Sequence, residues 1–234
     1  MGRAFEVRKV SMAKTAAAKS KIYAKFGKEI YMAAKSGSPD PESNANLKRI
    51  IEKAKKEQVS ADVIKRAIDK AKGASDETYS QIRYEGFGPN NSLFIVDCLT
   101  DNVNRTIAEV RNCFTKTGGK IGVSGSVVFQ FEHLCIFKVD STEEVILELM
   151  LENDINITDL EENDNKIIIY GIPTDFYNIK SLLENNKIQI IEEQLTWLPI
   201  TTVTVSSDDE IKFEKLISML DELDDVQDIY HNVV

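Results

Sequence analysis

The chain has 234 residues, 42% of them hydrophobic and 29% charged, with a formal net charge of −9. That composition belongs to an ordered globular protein of one large domain or two to three small ones, and it excludes a disordered chain. No apolar run approaches the roughly 20 residues a bilayer span needs, and the basic opening "MGRAFEVRKVSMAKTAAAKSK" lacks the apolar core of a secretory signal. The net charge conceals two unlike segments. Residues 1–73 carry 18 Lys and Arg against 8 Asp and Glu, which leaves 11 and 30 for the rest. A basic arm on an acidic body is the expected footprint of a polyanion-binding protein.

The first 73 residues read as three helices. In the first, Ile22, Phe26, Ile30 and Ala33 share an apolar face, while Lys14, Lys21, Lys25, Lys28 and Lys35 fall on one narrow stripe. Arg3, Arg8 and Lys9 add charge upstream. "SGSPDPES" ends this helix. The second buries Leu47, Ile50, Ile51 and Ala54. The third starts at an N-cap Ser60, turns Val63, Ile64, Ala67, Ile68 and Ala71 inward, and closes with Gly73 at C′. These three stripes make a small bundle.

"ASDETYSQI" then reads as a linker and "YEGFGPN" as a turn, in which Gly86 and Gly88 permit tight turning; Tyr84 and Phe87 either stack on a base or, the favoured reading, cover the core. "SLFIVDCLT" is a strand, followed by a helix with Val103, Ile107, Val110 and Phe114 on one face. Either Asp101 or Asn102 caps that helix, but Arg105 lies in its first turn, where the helix dipole disfavours a cation. Such a placement is explained by an acidic side chain or a bound phosphate. "SVVFQFE" and "LCIFKVD" read as two strands, then come a helix, the hairpin "ITDLEENDNKIIIYG", a second helix and the strand "KIQIIEEQLTWL". This βαββαβ order is the split-βαβ, ferredoxin-like unit. "TTVTV", "DDEIKFEKLISMLDELDD" and "VQDIYHNV" supply a final β, α and β that pair with the βαβ at 92–131.

The expected fold is therefore α+β and multidomain: an N-terminal three-helix domain plus two ferredoxin-like α+β domains, one inserted into the other. The domains expected are 1–75 (helical and basic), 76–131 with 199–234 (discontinuous), and 132–198 (inserted).

No catalytic or metal motif emerges. The two histidines, His133 and His231, lie in different expected domains, and "GGKIGVSG" follows a helix and precedes a strand, the reverse of a phosphate-binding loop. The acidic pairs Glu161/Glu162 and Asp208/Asp209 fit a hairpin tip and a helix start, and Asp224/Asp225 a helix end. Cys98, Cys113 and Cys135 have no metal-ligand spacing and read as buried, reduced thiols of a cytoplasmic protein. The lysine stripe stands out because no row of glutamates at i−4 neutralises it. Phosphate contact by Arg3, Arg8, Lys9, Lys14, Lys21, Lys25, Lys28 and Lys35, with Arg105 and Lys120 as secondary contacts, is the expected binding site; no cofactor is expected.

"SKIYAKFGKEIYMAAKSGSPDPESNANLKRIIEKAK", "DVIKRAIDKAKG", "YEGFGP", "LTDNVNRT", "GGKIGVSGSVVFQF" and "DDVQDIYHN" together resemble the YebC/PmpR family, in the same order from the N-terminus to the last residues. The opening departs from the family's commoner "GHSKWANIKHRK"-like start and looks like a divergent branch. The resemblance implies a three-domain cytoplasmic protein with a helical N-terminal domain and no enzymatic activity or metal requirement. Many members are described as DNA-binding transcriptional regulators, and others, mitochondrial relatives included, as translation factors acting with the ribosome. The function expected is thus a nucleic-acid-binding transcriptional regulator with DNA as partner. The alternatives are a ribosome-associated translation factor binding ribosomal RNA and a protein-interaction scaffold using the acidic body. The exposed face of the third helix, Lys65, Arg66, Asp69 and Lys70, offers no obvious base-reading set.

Overall fold

Three apolar stripes close the helical bundle. The computed structural model describes residues 16–73 and 78–234, and for residues 16–20 the backbone alone. Helix α1 (Ala16–Ser36) buries Phe26, Ile30, Ala33 and Ala34 against Leu47, Ile50, Ile51 and Ala54 of α2 (Ala45–Lys56) and Ile64 and Ala67 of α3 (Ala61–Lys72). Asn44 joins the first two helices. Its Oδ1 accepts from the Leu47 N–H at 3.0 Å, and its Nδ2 donates to the carbonyls of Ala33 and Ser38 at 2.9 and 2.7 Å. Ser60 begins α3 as expected, though its side chain makes no capping bond. Gly73 does not take the C′ position; it is the C-cap itself, extended at φ −78°, with its N–H on the Asp69 carbonyl.

The first sheet runs in the order β3-β1-β2-β8, entirely antiparallel. Its strands are β1 (Ser80–Phe87), β2 (Leu93–Thr100), the two-residue β3 (Lys120–Ile121) and β8 (Val226–His231). Helices α4 (Val103–Lys116) and α7 (Ser207–Asp221) pack on it through Val110, Cys113, Phe114, Phe213, Leu216 and Leu220, closing over Phe94, Val96 and Cys98. Strand β1 corrects the reading of "ASDETYSQI" and "YEGFGPN" as linker and turn. Ser80↔Thr100 through Phe87↔Leu93 is an unbroken ladder. Gly86 is needed there because a Cβ would stand 2.6 Å from the Phe114 ring. "TTVTV" is likewise not a strand. It contributes a single parallel bridge, Val203↔Val233.

The second sheet has the order β5-β6-β4-β7, the arrangement of a split βαβ unit. Its strands are β4 (Phe131–Asp140), β5 (Ile157–Asn163), β6 (Lys166–Gly171) and β7 (Gln189–Pro199), backed by α5 (Glu143–Glu152) and α6 (Phe176–Asn185). The two strands expected from "SVVFQFE" and "LCIFKVD" are one. The polar pair Glu132–His133 reads as a break, but both residues sit in register against β7, and His133 stacks on Trp197 with centroids 4.4 Å apart. Val128–Gln130 before them is a single 3-10 turn.

Val128–Thr202 cluster as one compact unit, and the described residues up to Val127 cluster with Val203–Val234 as the other. The fold is α+β, with a helical N-terminal region, two four-stranded sheets and one body inserted into the other. Among the described residues no helix is long and apolar enough to cross a membrane.

Candidate nucleic-acid interface

The lysine stripe of α1 runs along a row of carboxylates from the end of the same unit. Lys28 Nζ donates to Asp225 Oδ1 at 2.9 Å and to the Asp224 carbonyl at 3.0 Å. One turn earlier, Lys25 Nζ lies 3.5 Å from Asp228 Oδ1. Lys21 comes next; burial lowers its pKa below the usual lysine range, against the opposing pull of Asp221, Asp224 and Glu222. The i, i+4 and i+7 spacing that aligns these lysines thus also aligns them with α7 and the turn into β8.

Asp225 is the centre of this seam. Its side chain is 4% exposed and accepts from four side chains on three different elements. Oδ1 takes the Lys28 ammonium, while Oδ2 accepts from Arg105 at 2.6 Å, Thr100 at 2.9 Å and Thr106 at 2.8 Å. Burial alone would raise the carboxyl pKa, but hydrogen bonds from Arg105, Lys28, Thr106 and Thr100 outweigh it and hold the group at about 2. Arg105 also reaches Asp101 at 2.8 Å. The anion implied by a cation in the first turn of α4 is therefore present within the chain, and Asn102 is the residue that caps that helix, accepting from the Arg105 N–H at 3.1 Å.

Beside the seam, α1 and α3 leave a groove of about 380 Å³. Its walls include Tyr23, Tyr31 and Tyr79, and its basic side chains are Lys28, Arg66 and Lys70. The Lys70 and Lys35 ammonium groups lie 5.7 and 5.2 Å from the Tyr31 ring centroid, and Lys28 lies 5.8 Å from that of Tyr79. Lys28 and Tyr79 also line a neighbouring basin of about 430 Å³, where Asp101, Glu109, Glu222, Asp224 and Asp225 make the surroundings acidic.

The expected site residues therefore separate into groups. Lys21, Lys25, Lys28 and Arg105 converge on the carboxylate seam; Lys35 is exposed and donates to the Tyr31 hydroxyl at 2.8 Å. Lys120 is exposed on β3, the opposite edge of the first sheet from β8, with its ammonium 5.6 Å from the Phe87 ring. Arg3, Arg8, Lys9 and Lys14 lie outside the described residues. Asp225, Asp228 and the tyrosines of the groove were not expected as site residues. The Asp224/Asp225 pair was noticeable only as a helix-end charge cluster, and no local signal links residues 28, 105 and 225. Among the described residues, no group of three or more His, Cys, Asp or Glu is placed to hold a metal ion.

The described residues thus combine a helical N-terminal region with two four-stranded α+β sheets. Family models described as the TACO1/YebC protein N-terminal domain and the TACO1/YebC second and third domain match residues 3–74 and 79–233. The chain belongs to the TACO1/YebC family, as the sequence motifs implied. A relative from Acholeplasma laidlawii is 57% identical over 235 residues, covering 100% of this chain and 98% of its own, and bears the name "Probable transcriptional regulatory protein". One from Alteromonas mediterranea with the same description is 50% identical, covering 100% and 99%. Among solved structures, a conserved hypothetical protein from Aquifex aeolicus is similar with a TM-score of 0.77 at 37% identity, covering 95% of this chain and 93% of that one.

Proposed function

We propose that the protein is a nucleic-acid-binding regulator of transcription, acting in the cytoplasm on DNA and without catalysis of its own. The observation that carries this reading is the concentration of positive charge in residues 1–73, 18 basic against 8 acidic residues. The names of relatives at 50–57% identity over the whole chain point the same way. The contacts proposed for phosphate are Arg3, Arg8, Lys9 and Lys14, together with Lys35, Lys120 and the stripe of Lys21, Lys25 and Lys28, with Arg105 secondary. Lys25, Lys28 and Arg105 already face carboxylates, so phosphate would compete there with Asp225 and Asp228. The three cysteines are free and buried, in keeping with a reducing compartment.

The test is in-cell crosslinking followed by sequencing of all attached DNA and RNA. Enrichment at discrete promoter DNA is the expected result. Enrichment of ribosomal RNA at one defined position, with only scattered DNA, would overturn the transcriptional part of the reading.

A further inference from the structure

The groove between α1 and α3 has features that general phosphate attraction does not require. Its floor is open above Gly27, where an added Cβ would meet no atom of the described residues within 4 Å. Tyr31, 2% exposed, backs the wall and meets Tyr79 edge to face with centroids 5.8 Å apart; Tyr23 and Tyr79 are half-buried. Arg66 and Lys70 stand one turn apart on α3 at its rim. Among the described residues no carboxylate lines this groove, whereas the adjoining basin is acidic. Cationic rim, aromatic wall and an unfilled apolar floor together match a ligand with one planar π-face and one phosphate.

We propose that this groove binds an unpaired nucleotide of a single-stranded nucleic acid, its base against Tyr79 and Tyr23 over Gly27 and its phosphate at Arg66 and Lys70. The proposal rests on the nucleic-acid reading above and deepens it by naming the form of nucleic acid. A duplex keeps its base faces stacked inside the helix and has nothing to offer a tyrosine wall, while a single strand has both parts. The rim residues Arg66 and Lys70 lie on α3, while Lys28, which also lines the groove, meets Asp225.

Fluorescence anisotropy on the full chain tests this, with labelled oligouridylate, oligothymidylate and a blunt DNA duplex as probes. Gly27→Leu fills the floor, and Gly27→Ala controls for helix stability. Arg66→Ala combined with Lys70→Ala removes the phosphate site without touching the floor. Gly27→Leu should weaken single-strand binding about tenfold, the worth of one lost stacking contact, with duplex binding unchanged. The double variant should also reduce the salt slope on single strands by about 0.7, which is one phosphate's worth of counterion release. Tighter binding of oligouridylate would assign the ligand to RNA, and tighter binding of oligothymidylate to single-stranded DNA; either supports the groove. Unchanged single-strand affinity in both variants overturns it. Wild-type binding of duplex alone overturns the groove while leaving the regulator reading intact, and binding of no probe overturns both.

Discussion

Replacing Asp225 with asparagine removes the charge that holds Lys28 and Arg105 while keeping the shape of the side chain. The wild-type carboxyl is held at about 2 against an ordinary value of 3.8, and its side chain is 4% exposed. A depression of that size corresponds to roughly 2–3 kcal/mol of folding stability. The sign follows from which form the fold prefers: the folded state favours the carboxylate. The contribution is therefore complete above about pH 4 and is lost as pH falls towards 2. At neutral pH Asp225→Asn should cost about 2–4 kcal/mol, because it leaves a cation in a partly buried seam facing an amide. Urea unfolding offers an internal control. The chain's single tryptophan, Trp197, lies in the Val128–Thr202 unit, whereas five of the seven α-helices among the described residues lie in the unit that contains Asp225. The far-UV circular dichroism transition should shift to lower urea while the tryptophan fluorescence transition stays in place. The acid limb of the variant's stability curve should also flatten between pH 4 and 2. An unchanged dichroism midpoint together with an unchanged acid limb would refute the reasoning.

Glu85 accepts the N–H groups of Gly125 at 2.6 Å and Val127 at 2.5 Å, so Glu85→Ala should cost about 1–3 kcal/mol and speed hydrogen exchange at both amides. Equal exchange rates would show that the loop is held by other contacts. Gly86→Ala should destabilise by about 1–3 kcal/mol, since its Cβ would enter the Phe114 ring, whereas Gly27→Ala should stabilise by about 1 kcal/mol, and thermal melts of the two should therefore move in opposite directions. Burial pushes the Cys98 thiol up to about 12 and Cys135 to about 11, so a thiol-reactive disulfide at about pH 8 should label neither until urea is added. Rapid labelling of the native protein would contradict the burial of both.

The helices and the second sheet were legible because their apolar periods are long and regular: Ile22, Phe26, Ile30 and Ala33 kept the helical period, and Ile167, Ile168 and Ile169 could only be a buried strand. Strand β1 was hidden by its own composition. Ile82, Tyr84 and Gly86 do alternate with Gln81, Arg83 and Glu85, but Gly86 and Gly88 have the residue signature of a turn, and what they serve is close approach to Phe114 and Phe94. The break expected within β4 came from Glu132 and His133, whose polarity reflects an exposed strand end. At the site, the stripe and the misplaced charge of Arg105 were both visible, and the anion that Arg105 implied is there. Its identity was not visible, because Asp225 lies 120 residues from Arg105 and 197 from Lys28, and only tertiary folding brings them together.

That separation along the chain has a consequence for how the protein is made. At about 5–20 residues per second, Lys28 is synthesised some 10–40 s before Asp225. During that interval α1 has its lysines but not the carboxylates that later cover them, and β2 lacks its partner β8. The Val128–Thr202 body is contiguous and can fold in the meantime. A nascent chain of this protein thus passes through a period in which its basic helix is more open to polyanions than it will be again, beside the ribosome that is making it. Any chaperoning of that interval would have to shield charge as well as the apolar surface that α7 and β8 later cover.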